Sequence, residues 1–561
     1  MRDITKPIVM DTSASRQVAF QAGARRLGVF LVEYLDRHRQ DPAAIGRKQD
    51  QILQGMISCY DAGAWSIVID CALNSHEHME RSGNWETWED FLGMALRAAQ
   101  KIGDETARAR LLRYIGRIQY LRGCWAEALE SLNQALALME QLGEVKEQAL
   151  VLRAIGRVRT DRAEWSQALN DFQRALGQLE ALAEPAIVGQ LCIDIGEVYW
   201  RQANWDQALA YFHRALPLVA AHGSRRDQGR VNHGIGNVYL QTGRWAEALQ
   251  HYALAQQAYS EAGERRRQAL VLMNTGIVQA QQGQWPLALT GFEAAEEAMR
   301  QINDVRGLSQ VLDNLGQLHR LQGDLDRALI CHEGALRLYR QLGDDYGAAS
   351  TLGNIGIIYR WRGAWDQALD AYAEAEAVLQ RVNDRHGLAT VWTNAGRIHQ
   401  MRGDLRQAIR CHARARRVFA ALGDKQKCAV TLNNLGSVCR ARARWARSLA
   451  YHRRALALYQ EIGDDYGAAQ TYDDLGLVRA GQGEWGEAIS HYTRAIAGLE
   501  KLGDQYILAE VYWHLAQAHF QQGHLREARQ AGETSLALYR TVGAPETAEV
   551  ERWLDHFSTA L

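Results

Sequence analysis

Residues 351–379, TLGNIGIIYRWRGAWDQALDAYAEAEAVL, carry apolar or small side chains at Leu352, Ile355, Gly356 and Tyr359, and beyond Gly363 at Trp365, Ala368, Tyr372 and Ala375. Intervals of three and four residues put each set on one stripe of an α-helix, so the stretch predicts two amphipathic helices, A and B, joined by a turn at Gly363. The pattern returns every 40 residues from 105 to 544 without an insertion, which makes eleven repeats. One column runs Gly116, Gly156, Gly196 and onward to Gly476, closing on Ala516. Nine positions later stands Trp or Leu, from Trp125 to Leu525, and Ala holds two further columns that start at Ala128 and Ala135. Small residues let helix axes come close, and the large ones, with the aromatic at 172, 212, 252, 292, 372 and 492, fill the space that remains. A lone hairpin cannot cover its own apolar face, so neighbours must stack, and the predicted fold class is an all-α solenoid.

The string GDDYGAA occurs at 343–349 and again at 463–469, three periods apart. Its first residue belongs to a column of Gly (143, 223, 263, 343, 423, 463, 503, 543) with Asn303 and Asn383 as substitutes and Ala183 as an exception. Gly replaced by Asn marks a left-handed residue that ends a helix. The acidic residue that follows, as in Asp344 and Asp464, is placed to cap the next helix A. Around repeat 3, Ala183 would go left-handed at about 1 kcal/mol, and Pro217 falls in the last turns of a helix B; an altered helix end and a hinge both fit.

Outside the repeats the register weakens. Residues 1–15 are expected to be mobile, and 16–104 to form an irregular helical cap. Within that cap 65–104 is a degenerate repeat: Gly83, Trp85 and Ala95 keep phase, while His76 replaces the column glycine. Residues 545–561 are expected to close the stack with one helix, Val550, Trp553, Leu554 and Phe557 sharing a stripe.

Lys plus Arg number 64 against 65 Asp plus Glu, a net charge of -1 that gives no global attraction to nucleic acid or anionic membrane, so neither is an expected partner. The 8 cysteines form no CxxC and are too sparse for a disulfide framework, which fits a reducing, cytoplasmic compartment. There is no GxxxxGK[ST], HExxH or GxSxG. Neither a catalytic constellation nor a metal site nor a cofactor is expected. Cys331-His332 and Cys411-His412 recur at one row position, where the His replaces the aromatic of helix B and reads as packing.

In order, the LG-x2-Y, G-x-W/Y-x2-A and F/Y-x2-A positions of rows 351–379 and 431–459 resemble the tetratricopeptide repeat, the second row departing at Cys439, Ala443, Ser448 and His452. The usual unit is about 34 residues. Rows of 40 resemble kinesin light chains, Pins-type adaptors and the sensor arms of bacterial signalling ATPases. The resemblance implies a right-handed superhelix whose A helices line a concave groove. It also implies that Asn274, Asn314, Asn354, Asn394 and Asn434, two residues before the column glycine, face that groove and bond the backbone of an extended peptide. An amide offers both a donor and an acceptor, which suits a peptide unit whatever its side chain; tying neighbouring helices together is the other use open to it.

Arg320, Arg360 and Arg440 share a row position beside that ladder, and Arg397 lies one turn from Asn394. Arg110, Arg113, Arg117, Arg153 and Arg157 repeat at helical spacing near the start, a possible basic entrance, while Asp473, Asp474 and Glu510 make the far end acidic. The expected function is a non-enzymatic scaffold that holds a protein or peptide, preferably acidic, in the groove. Two other readings stay open: a ligand or peptide sensor that regulates a separate effector, and a self-assembling structural solenoid.

Overall fold

The computed structural model describes residues 12–38, 42–75 and 85–560, and all regular structure among them is helical. The chain divides into two compact units, 1–278 and 279–561, the boundary falling inside the helix Arg265–Gln281.

In the first unit, among the described residues, the helices Thr12–Arg37, Pro42–Arg47, Gln49–Asp61, Trp65–Asn74 and Trp85–Ile102 precede the repeats. Leu35, Ile45, Met56, Val68 and Trp88 form their core, which continues into Leu111 and Ile115 of repeat 1. Residues 1–11 of the stretch expected to be mobile lie outside the described residues, and 12–15 are helical. His76 and Gly83 also lie outside them. In the second unit the helix Thr547–Ala560 closes the stack, with Val550 buried against Ala509 and Tyr539; the side chain of Phe557 is outside the described residues.

Every repeat is a hairpin of the expected kind, such as Asp345–Trp361 and Trp365–Arg381 in repeat 7. Two left-handed residues set each period. One lies between A and B, as at Gly363 (φ 72°), and one between B and the next A, as at Gly343 (φ 64°). Ala163, Ala183, Ala203 and Ala443 adopt the same conformation at φ 51–59° despite their Cβ. Gly223 departs from its column, with φ -90° and ψ 168°; it follows a helix B that contains Pro217, and Ser224 caps the next helix from extended backbone. The paired aspartates are caps: Asp344 accepts the backbone N–H of Gly347 at 3.0 Å and Asp464 that of Gly467 at 2.8 Å. Asp104, Asp304, Asp384, Asp424 and Asp504 do the same, whereas the longer Glu144 and Glu184 make no side-chain cap.

The column glycine seats a ring. A Cβ on Gly356 would lie 2.4 Å from Cε1 of Tyr372, and one on Gly156 2.5 Å from Phe172. His332, His412 and His452 occupy the same seat over Gly316, Gly396 and Gly436, each fully buried. The Trp column is unevenly buried: Trp125, Trp245 and Trp285 stay 38–41% exposed, whereas Trp165, Trp205, Trp365, Trp445 and Trp485 are partly buried against the core. Within each unit helix A packs against the A helices of adjacent repeats, while helix B meets chiefly A helices, so A lines the inner curve.

Gly356→Ala therefore forces a ring out of contact and should cost about 1–3 kcal/mol by overpacking. Gly343→Ala, with nothing within 4 Å of the added Cβ, should cost only the left-handed strain of about 1 kcal/mol. Hydrogen exchange across 345–381 in the two variants measures the difference.

Candidate functional site

The position two residues before the column glycine has a different fate in each repeat. In the first unit two of its polar members, Asp194 and Asn274, are closed by internal bonds. Asp194 is gripped by Arg153 Nε at 2.5 Å and Arg230 Nη2 at 2.7 Å, and Arg230 also reaches Glu197 at 2.8 Å. Burial alone would raise the Asp194 carboxyl, but Arg153 and Arg230 hold it well below the usual range. Asn274 donates to Nε2 of His233 and to Oδ1 of Asn237, each at 2.9 Å; Tyr252 donates to the same Asn237 oxygen at 2.8 Å. Asn274 thus ties neighbouring helices together.

The expected basic entrance lies in this unit. Arg110 and Arg113 meet Glu147 at 3.2 and 3.6 Å, Arg153 holds Asp194, and Arg117 and Arg157 lie over the Tyr120 ring at 5.2 and 6.0 Å.

In the second unit the ladder is open. Asn314, Asn354 and Asn394 are half-buried and have no hydrogen bond from another described residue. Asn434 has its Nδ2 buried without a partner. Beneath them the seated rings bring further buried polar atoms that also lack one: the Tyr372 hydroxyl, both nitrogens of His412, and Nε2 of His332 and His452. A buried polar group left unpaired costs about 1–3 kcal/mol, so each of these atoms would gain from a partner.

Beside the ladder, Arg320, Arg360, Arg397 and Arg440 make no ion pair among the described residues; Arg320 donates to Gln317 at 2.9 Å. Burial, then Arg397 and Arg320, lower the basicity of Arg360, the signature of like charges held together. Further on, the column continues through Asp474 to His514, whose Nδ1 lies 2.8 Å from Asp473. Sequence reasoning singled out Asp473, Asp474 and Glu510 and missed His514, although a step of 40 from Asp474 reaches it. Among the described residues no group of three or more His, Cys, Asp or Glu is placed to hold a metal ion, and no helix is long and apolar enough to cross a membrane.

Stacked 40-residue helical hairpins with glycine-seated rings and a polar inner face define a class of repeat protein built on surfaces. Models of the tetratricopeptide repeat match residues 190–261, 227–301, 267–341, 347–421, 427–501 and 482–541. The chain belongs to the tetratricopeptide repeat family. No curated protein matches it in sequence. Among solved structures it is similar to the apo quorum sensor NprR from B. thuringiensis (14% identity, 64% of this chain and 99% of that one, TM-score 0.47). A Rap protein complexed with competence and sporulation factor is also similar (15% identity, 71% of this chain and 98% of that one, TM-score 0.44). So is a signal-transduction ATPase with numerous domains and a tetratricopeptide repeat sensor from Pyrococcus horikoshii (15% identity, TM-score 0.47), the match covering 64% of this chain and 55% of that protein.

Burial, and then Arg397, lower the His412 imidazole to about 4 from its ordinary 6.5. The fold therefore favours neutral His412. Its contribution is complete above pH 6.5 and is lost as pH falls from 6.5 towards 4. His412→Phe, which installs the ring that other repeats carry, should lessen the stability lost between pH 7 and 5 by about 1–2 kcal/mol, read from urea melts at the two pH values.

Proposed function

We propose that the protein is a non-catalytic interaction module that holds an extended segment of a partner protein along the inner face of its second unit. Asn314, Asn354, Asn394 and Asn434 bond the backbone of that segment, and Arg320, Arg360, Arg397 and Arg440 receive acidic side chains. The observation that carries this reading is the contrast between two halves of one column: Asn274 is tied twice to the preceding helix A, through His233 and Asn237, while the next three amides have no hydrogen-bond partner among the described residues. An extended chain advances roughly 3.3 Å per residue and neighbouring A helices stand about 8–10 Å apart, so one amide meets about every third residue of the segment. Four arginines that make no ion pair among the described residues supply charge-assisted bonds, which select acidic side chains and hasten encounter.

Selection of a random 12-residue peptide library on the intact chain should enrich segments containing Asp and Glu. The best of them should bind the Asn314→Ala, Asn354→Ala, Asn394→Ala variant at least about tenfold more weakly, three amide contacts being worth roughly 0.5–1.5 kcal/mol each. Equal affinity for the variant would remove the ladder from the site. Arg360→Glu should weaken the same peptides and flatten their salt dependence, measured by calorimetry at two ionic strengths.

A further inference from the structure

Beyond the arginines, the inner face of the second unit changes character. Asp473, Leu477, Ala480 and Gly481 follow one another along one stripe of the helix Asp465–Gly481. Glu510, His514, Gln517 and Gln521 do so along the helix Gln505–Gln521. Leu477, Ala480 and Gly481 on one side and His514, Gln517, Phe520 and Gln521 on the other line a cavity of about 400 Å³, whose remaining wall is aromatic: Trp485, Tyr492 and Trp553. Trp553, from the closing helix, meets the Phe520 ring edge-on at 5.8 Å and that of Trp513 at 5.0 Å. Phe520 stays 43% exposed at the mouth. Pockets that hold small ligands begin at about 300 Å³, so this space takes one large side chain with its peptide unit.

One end of the cavity is charged. His514, a lining residue, is held by Asp473 at 2.8 Å, and Asp474 and Glu510 stand beside them. Three carboxyl groups stand against one guanidinium, that of Arg440, and the His514 imidazole, and among the described residues neither Asp474 nor Glu510 has an arginine or lysine within ion-pair distance. Burial, and then Asp473, push Asp474 up to about 7, and burial raises Glu510, so the cluster gains from an added positive charge. Asp473 and Ala480 are seven positions apart on one helix, roughly 10 Å at 1.5 Å per residue. A lysine or arginine side chain next to an aromatic residue spans that distance.

We propose that repeats 10 and 11 and the closing helix form a separate subsite for a basic residue adjacent to an aromatic one, the ring entering between Trp485, Phe520 and Trp553 and the cation meeting Asp473, Asp474 and Glu510. It rests on the reading of the inner face as a peptide site but uses none of the ladder residues.

The test titrates the full chain by calorimetry with three capped tetrapeptides, acetyl-Ala-Lys-Trp-Ala-amide and its Glu-Trp and Lys-Ala counterparts. Lys-Trp should bind at least tenfold tighter than either of the others. Glu510→Gln, whose carboxylate makes no hydrogen bond or ion pair among the described residues, should reduce the preference for Lys-Trp over Glu-Trp by threefold or more. Phe520→Ala, at an exposed position, should weaken Lys-Trp fivefold or more, with thermal melts verifying that both variants fold. Lys-Trp and Glu-Trp binding alike, or no heat from Lys-Trp at millimolar concentration, would overturn the proposal. A tetrapeptide extends about 13 Å and falls short of the roughly 16–20 Å from repeat 10 back to Asn394, so failure of the ladder test leaves this result standing.

Discussion

The contact on which the rest depends is a ring of helix B lying flat on a glycine of helix A. At Gly156 with Phe172, Gly236 with Tyr252, Gly356 with Tyr372 and Gly476 with Tyr492, among others, no Cβ could stand between them. That closeness fixes more than packing. It carries the tip of the ring through the hairpin to the inner face, beside the ladder residue of the next repeat: Nδ1 of His452 lies 3.8 Å from Asp474, and Tyr492 packs on His514 with ring centroids 5.7 Å apart. Whether the ring is Phe, Tyr or His therefore decides what polar atoms the inner face offers. A buried phenylalanine supplies none, and His412 supplies two that find no partner.

One backbone period thus supports two electrostatic regimes. In the first unit the inner face closes on itself, with Asp194 fully buried between Arg153 and Arg230 and the ladder amide of repeat 5 bonded to His233 and Asn237. Buried ion pairs of this kind add little net stability over apolar packing, because desolvation offsets most of their attraction, but removing one partner strands the other charge. They hold register between repeats. In the second unit the inner face carries amides without hydrogen bonds and guanidinium groups without ion pairs among the described residues, and the cost is borne locally, since each repeat in a linear stack couples only to its neighbours.

The column pattern made the fold legible: period, helix pairs, glycine seats and aspartate caps all follow from comparing equal positions in successive rows. Gly223 stood outside that logic because the proline six residues before it and the serine after it set the local turn together. The site was less legible for a geometric reason. Partners across neighbouring A helices lie one row on but offset by one to three positions, as in Arg153 with Asp194 (41 apart), Asn274 with Asn237 (37) and Asn433 with Thr471 (38). Rows compared at equal positions therefore display Arg110 and Arg113 as a free basic stripe and hide Glu147, which pairs with both. The open amides were visible as a ladder. Their openness depends on residues near 37 and 41 positions away that cannot answer them.

Charge along the inner face of the second unit is ordered. Arg320, Arg360, Arg397 and Arg440 come first, and Asp473, Asp474 and Glu510 follow. Each group is unfavourable alone: burial, then Arg397 and Arg320, lower the basicity of Arg360, and burial, then Asp473, raise Asp474. Arg440 stands at the junction and offsets part of the second penalty. An extended partner relieves both only if its own charges run in the opposite order, acidic side chains over repeats 6 to 9 and a cation over repeats 10 and 11. Reversing it would set like charges against each other at both ends. Backbone amide contacts are indifferent to the direction of a bound strand, so the charge order is what gives this face a direction.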